Sequence, residues 1–388
     1  MSARAVRCTL IAALCAAGSG YGCGGGATSE AAKPTLRALP PANPVAAQKF
    51  LEASALLAGD KSGDYARAES LLREAIALDA YLWEAHYNLG LLHQRRGELR
   101  AALQELQAAR TTQPSAGEPL LALAAVQDAL GKHQAAIDLL EEYVQGHPGA
   151  ADVRIALTAL LREQGQYDAA LEQARGVLVR DPKSIGALLE VGRIYRAHDE
   201  LDVAELVFNR ALHLDEKSPD PHNELGLTAL ARGDTQVAFE RFEDALEVDR
   251  SFAPARLNRA SVLLRAGDYA GAAAEYRKVL EQNDANDAAR VGLAIALRGQ
   301  EKHKEAAAEY ERVLAHSPNH PAALFDLGIL RAEFLDRRGD ARELFERFLA
   351  VAPEGAARDT AERYVKDLAA DAARGDAEQE ARAGGAAP

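Results

Sequence analysis

Gly20, Gly22 and Gly25 satisfy G-x-G-x-x-G, the pattern in which bare backbone approaches a pyrophosphate. That chemistry needs a strand before the glycines and a helix opening after them, and the flanking residues supply neither. His86 and His93 share one face of a helix, but both fall on inward-facing columns of the periodic pattern described below and read as packed histidines. His316 and His320 are four apart with Pro318 between them, so they cannot present one helical face to a metal. No P-loop, G-x-S-x-G or H-E-x-x-H occurs. The expectation is no catalytic centre, no metal and no cofactor.

Cys8, Cys15 and Cys23 are the only thiols, and all lie in the first 23 residues, so the folded body has no disulfide framework or thiolate metal site. Arg4 and Arg7 precede the apolar run Cys8–Ala17, after which small residues follow. This is the layout of an export signal over residues 1–22. The run is too short to span a bilayer. Gly22-Cys23 resembles the end of a bacterial lipoprotein signal, although Tyr21 and Gly20 depart from its usual residues. Cys15, preceded by Leu14, fits less well. The resemblance implies lipidation at Cys23 and, since no acid follows it, an outer-membrane lipoprotein facing the periplasm. Residues 23–46, rich in Gly, Ala and Pro, would form the tether. A soluble exported protein with an incidental cysteine is the alternative.

The elements that would position any site come from composition and spacing. Of 388 residues 48% are hydrophobic but only 5% aromatic, so the core must be built from Ala and Leu, which suits close-packed helices and disfavours an all-β fold. A formal charge of −13 argues against binding nucleic acid, where affinity comes from neutralised phosphates.

Ala68, Ala102, Ala136, Ala170, Ala204, Ala238, Ala272 and Ala306 recur every 34 residues without a break. In windows counted from Trp83, the eighth position reads Gly90, Ala124, Thr158, Gly192, Gly226, Ala260, Ala294, Gly328. The fifteenth reads Gly97, Gly131, Gly165, Asp199, Gly233, Gly267, Glu301, and Pro114, Pro148, Pro182 and Pro318 close their windows. Glu216, Arg250 and Asp284 replace that proline in the middle of the array, which predicts softer turns there.

These columns resemble the tetratricopeptide repeat over nine windows, Lys49 to Glu354, the first expanded near Gly59–Gly63 and the last carrying one extra residue near Gly339. The resemblance implies an all-α fold, a right-handed α-solenoid of about nine antiparallel helix pairs. The array is expected over residues 47–354, a capping helix with the stripe Ala361, Tyr364, Val365, Leu368 over 355–373, and a disordered tail over 374–388.

In this family the first helix of each window lines a concave groove. Carried onto this chain, the groove positions are Tyr87, Leu91, Leu121, Ile155, Arg162, Leu189, Arg193, Arg196, Leu227, Leu230, Leu257, Leu264, Ile295, Arg298, Phe325 and Ile329. Such an apolar strip suggests a partner-binding surface, with the arginines available to carboxylates of an inserted segment. Packing of the strip on itself is the other reading. No Lys stands at the fifth position of the second to ninth windows, unlike the groove of chaperone adaptors that hold a C-terminal carboxylate. The function expected is a non-catalytic protein–protein interaction scaffold of the cell envelope, of the kind that serves pilus, secretin or gliding-motility machines. An accessory subunit of an envelope enzyme and a periplasmic or cytosolic adaptor are the alternatives.

Overall fold

The computed structural model describes residues 42–58 and 64–384. The export signal, Cys23, most of the tether, the Gly59–Gly63 expansion and the last four residues lie outside them. Among the described residues every regular element is a helix, and the chain divides into two compact units, residues 1–214 and 215–388. The first unit contains α1 (Pro44–Ala58), α2 (Tyr65–Leu78), α3 (Trp83–Arg95), α4 (Leu99–Thr112), α5 (Gly117–Ala129), α6 (His133–Gly146), α7 (Ala151–Glu163), α8 (Tyr167–Leu178), α9 (Ile185–Ala197) and α10 (Leu201–Leu214). The second contains α11 (Pro219–Arg232), α12 (Thr235–Val248), α13 (Ala253–Arg265), α14 (Tyr269–Gln282), α15 (Asp287–Gly299), α16 (His303–His316), α17 (Pro321–Glu333), α18 (Arg338–Val351) and α19 (Ala356–Gly384). Each unit is a stack of two-helix windows, an all-α repeat solenoid.

The pairing rests on a balance of side-chain size. The recurring alanines, Ala68 through Ala306, are wholly buried where paired helices meet. At the eighth position, a Cβ on Gly192 would stand 2.4 Å from Phe208 and one on Gly226 2.5 Å from Phe242, far inside contact distance. Gly90 faces Leu106 in the same way, at 2.7 Å. Where the large residue shrinks to Ala174, the eighth position grows to Thr158; Ala124 goes with Leu140 and Ala294 with Tyr310, all buried. A bulky residue on the second helix is thus met by Gly or Ala, and the small Ala174 by the larger Thr158, the trade-off that close packing demands.

The turn inside each window is left-handed at the fifteenth position. Gly97, Gly131, Gly165, Gly233 and Gly267 have φ of 73°, 74°, 70°, 94° and 81°. Asp199 and Glu301 adopt the same conformation at φ 62°, where a side chain is strained. Glu301→Gly should therefore stabilise the second unit by about 0.5–1 kcal/mol, and Asp199→Gly the first by less, since Asp tolerates this region better. Urea midpoints measure both. The extra residue of the last window falls in the turn before α18, where Asp336 has φ 51°; Gly339 is already inside the helix.

The turns expected to be soft are held by a second device. Asp79, Asp181, Asp215, Asp249 and Asn283 end their second helices, and each side chain accepts the backbone N–H two residues on, at 3.0, 3.0, 3.0, 2.8 and 3.1 Å. These Asx turns reverse the chain whether or not proline follows.

The capping helix α19 seals the last window. Ala361 and Leu368 are buried, Tyr364 stacks on Phe345 at 4.8 Å, and Arg358 donates to the carbonyls of Leu349 and Ala352 at 2.9 Å, two acceptors that the end of α18 leaves open. Where the sequence predicts a disordered tail from 374, the helix runs on to Gly384. That stretch is rich in Ala, Glu, Gln and Arg, strong helix formers, and no proline interrupts it before Pro388.

Candidate functional site

The strip predicted from the repeat columns lies on the first helices of both units. In the first unit it comprises Tyr87 and Leu91 on α3, Leu121 on α5, Ile155 and Arg162 on α7, and Leu189, Arg193 and Arg196 on α9. In the second it comprises Leu227 and Leu230 on α11, Leu257 and Leu264 on α13, Ile295 and Arg298 on α15, and Phe325 and Ile329 on α17. Tyr87 and Leu189 are buried and the others half-buried. Leu91, Leu121, Leu227, Leu257, Ile295 and Phe325 rest against core residues. The strip is thus anchored from beneath while solvent still reaches part of it.

Its arginines are already engaged, which corrects the expectation that they stand available to a partner. Arg162 Nε donates to Glu190 at 3.0 Å and Arg193 to the other oxygen of the same carboxylate at 2.5 Å. Glu190 is 1% exposed. Arg196 lies 5.6 Å above the Phe208 ring, and Arg298 donates to Asp326 at 3.3 Å. In both acid pairs an arginine at the twelfth position reaches a carboxylate at the sixth position of the next window, 28 residues on. That spacing is readable in the sequence once the acid column is considered with the arginine column; taken singly, neither shows it.

Asp326 also accepts the Tyr310 hydroxyl at 3.3 Å. Burial pushes the Asp326 carboxyl above its usual range, and the nearby Arg298 offsets only part of this. Burial likewise drives the Tyr310 hydroxyl upward, with the Asp326 charge adding to it. A carboxyl raised on folding favours the folded state below its unfolded pKa and loses that contribution as pH rises through the folded value. Asp326→Asn should therefore raise stability at pH 7, and the advantage should vanish near pH 3. Denaturation at the two pH values checks it.

A second ladder ties windows together. Arg256 donates to Glu275 at 2.7 Å and Arg290 to Glu309 at 2.9 Å; His86 meets Glu105 and Arg154 meets Gln173, both at 2.7 Å. In each pair the partners are 19 residues apart, on the two helices of one window. Arg154, Arg256 and Arg290 also donate to the carbonyls of Pro148, Arg250 and Asp284 in the preceding window. These cations are inter-window clamps.

His93 is buried and meets Glu98 at 2.5 Å, while His320 caps α17 by accepting the Ala323 N–H at 3.3 Å. A polar depression of about 370 Å³ lies at the turns around Gly131–Ala135, Gln164 and Gln166, its histidine, His133, held by Asp128 at 2.6 Å. Among the described residues no group of three or more His, Cys, Asp or Glu is placed to hold a metal, and no helix is long and apolar enough to cross a membrane.

A tetratricopeptide-repeat family model matches residues 50–119, 87–151, 159–221, 223–288 and 291–334, and a second model of the same description matches 129–175. Among solved structures, the chain is similar to the Cut9–Hcn1 hetero-tetramer of the APC/C, at 15% identity over 83% of this chain and 76% of that one, with a TM-score of 0.51. It is also similar to a tetratricopeptide repeat protein from Parabacteroides merdae (21% identity, 64% and 98% covered, TM-score 0.45). A thermophilic protein of the same kind from Thermus thermophilus gives 25% identity, 47% and 99% coverage and a TM-score of 0.42. No curated protein sequence matches the chain significantly.

Proposed function

Because this chain belongs to the tetratricopeptide repeat family, whose members generally mediate protein–protein interactions and are typically non-catalytic, we propose that it is an interaction scaffold of the cell envelope. In this reading it is exported, lipidated at Cys23 and held at the outer membrane facing the periplasm, where its first-helix strip takes up segments of partner proteins in an assembly of the pilus, secretin or gliding-motility kind. The observation that carries the binding role is the set of half-buried apolar side chains at groove positions of α3, α5, α7, α11, α13, α15 and α17. Side chains fixed from below and open above bury further apolar area on binding at little entropic cost.

The export and anchoring part of the proposal is supported by Arg4, Arg7, the Cys8–Ala17 run and Gly22-Cys23. Its test is fractionation. The native protein should sediment with the outer membrane and accumulate as a precursor under globomycin, and Cys23→Ser should release it. A Cys23→Ser protein that stays on the membrane would contradict lipidation, and native protein in the cytosol would favour the adaptor reading.

A further inference from the structure

The strip of the first unit is bordered by acids in successive windows, and the strip of the second is not. One turn before the fifth-position side chains stands the second position of each window, and residues three apart on a helix are neighbours on its surface. In the first unit that position reads Glu84 on α3, Glu118 on α5, Asp152 on α7 and Gly186 on α9. In the second it reads Asp220, then Pro254, Ala288 and Ala322. Glu118 thus borders Leu121, and Asp152 borders Ile155.

Glu118 and Asp152 are both exposed. Asp152 is held above the ordinary carboxylate range, chiefly by partial loss of water and then by the negative charge of Glu118. No cation offsets either effect, and among the described residues neither carboxylate is paired. Arg110, whose charge acts on Tyr143 together with that of Glu118, is occupied by the Pro114 carbonyl and the Tyr143 ring. Glu190 and Asp326, by contrast, are paired with arginines of the fold. Next to this carboxylate pair solvent still reaches Leu121 and Ile155, both half-buried, while α9 approaches the tip of Ile155 closely through Gly186, where a Cβ would stand 3.1 Å from Ile155 Cδ1.

We propose that the segment bound on the first unit is apolar with a basic flank: its Lys or Arg sits between Glu118 and Asp152 while its apolar side chains cover Leu121 and Ile155. This rests on the strip being the binding surface, as proposed above. A cation there removes the repulsion between two like charges and meets both carboxylates at once, so it fixes the register of the segment as well as its charge. The second unit, whose rim is Pro and Ala beyond Asp220, makes no such demand.

The test is selection of random peptides from a display library on the full-length chain, repeated on Glu118→Gln/Asp152→Asn and on Leu121→Ala/Ile155→Ala. The native chain should enrich peptides that combine Leu, Ile or Phe with adjacent Lys or Arg. The neutralised variant should keep the apolar preference and lose the basic one, and a synthetic copy of a selected peptide should bind it about three- to tenfold more weakly. The truncated variant should lose both preferences. Circular dichroism should show unchanged helix content in the neutralised variant, which removes a repulsion and no contact; Glu118→Gln alone serves as a milder second variant. Apolar enrichment without basic bias, or basic bias that survives neutralisation, overturns this inference while leaving the strip as the site. Enrichment that is indifferent to Leu121 and Ile155, or no enrichment at all, overturns the strip itself.

Discussion

Glu275→Ala should destabilise the second unit by about 3–5 kcal/mol, the usual cost of removing one partner from a buried ionic cluster. The carboxylate is buried and receives Arg256 at 2.7 Å, Arg259 at 2.9 Å and Lys278 at 2.9 Å. Arg256 is 7% exposed, so deleting the acid leaves a buried cation held only by the Arg250 carbonyl. Burial by itself would raise the Glu275 carboxyl, but hydrogen bonds from Lys278 and Arg256 and the charge of Arg259 outweigh it, and the group is held below its usual range. A depressed carboxyl contributes stability that is fully present above its unfolded pKa of about 4.3 and is lost as pH falls through the lower folded value. Native protein should therefore lose stability steeply below about pH 4, and Glu275→Gln should flatten that slope. The slope is opposite in sign to that expected for Asp326, so these two acids of one unit separate cleanly in a pH series of urea melts. An unchanged acid slope in Glu275→Gln would contradict the assignment.

The second large effect concerns the crossing of α9 and α10. Gly192→Ala places a methyl group 2.4 Å from Phe208, a ring with no exposed surface. Overpacking of this kind costs about 1–3 kcal/mol, and the better helix propensity of Ala returns at most about 1. Phe208→Leu alone should cost about 1–3 kcal/mol through the cavity it leaves. The double variant recreates the native pair Ala124 with Leu140, so its cost should fall well short of the sum. A double-mutant cycle by chemical denaturation, followed on the first unit, measures the coupling; additivity within about 0.5 kcal/mol would refute the volume balance.

The helical windows were largely legible because they rest on small residues at fixed spacing, and a 34-residue period survives single substitutions. Gly97 and Gly131 could be read as left-handed turns for the same reason, since glycine there is a steric requirement. Asp199 and Glu301 could not be read from residue type alone; only their place in the column marks them. The Asx turns at Asp215, Asp249 and Asn283 were hidden because the window-closing proline, present in other windows and absent from these, is the louder signal. The helix beyond residue 373 was missed because it lacks an apolar period, although its propensity is high. In the strip the apolar members were visible by position, whereas the engagement of Arg162 and Arg193 by Glu190 depends on a contact between windows that no single column reveals.

The strip competes with other apolar residues that are more exposed than it is. Val179 and Leu206, in the second-helix halves of their windows, are 83% and 71% exposed, whereas Leu121 and Leu257 are only half-buried. If exposure alone decided contacts, Leu206 would be the stickier site. Placing a photo-crosslinking amino acid in turn at Leu121, Leu257, Val179 and Leu206 in living cells tests the point most directly. Discrete crosslinked partner bands at Leu121 and Leu257, with none at Val179 or Leu206, are the result expected of a first-helix binding surface. Crosslinks at Val179 or Leu206 with none at Leu121 and Leu257 would contradict it.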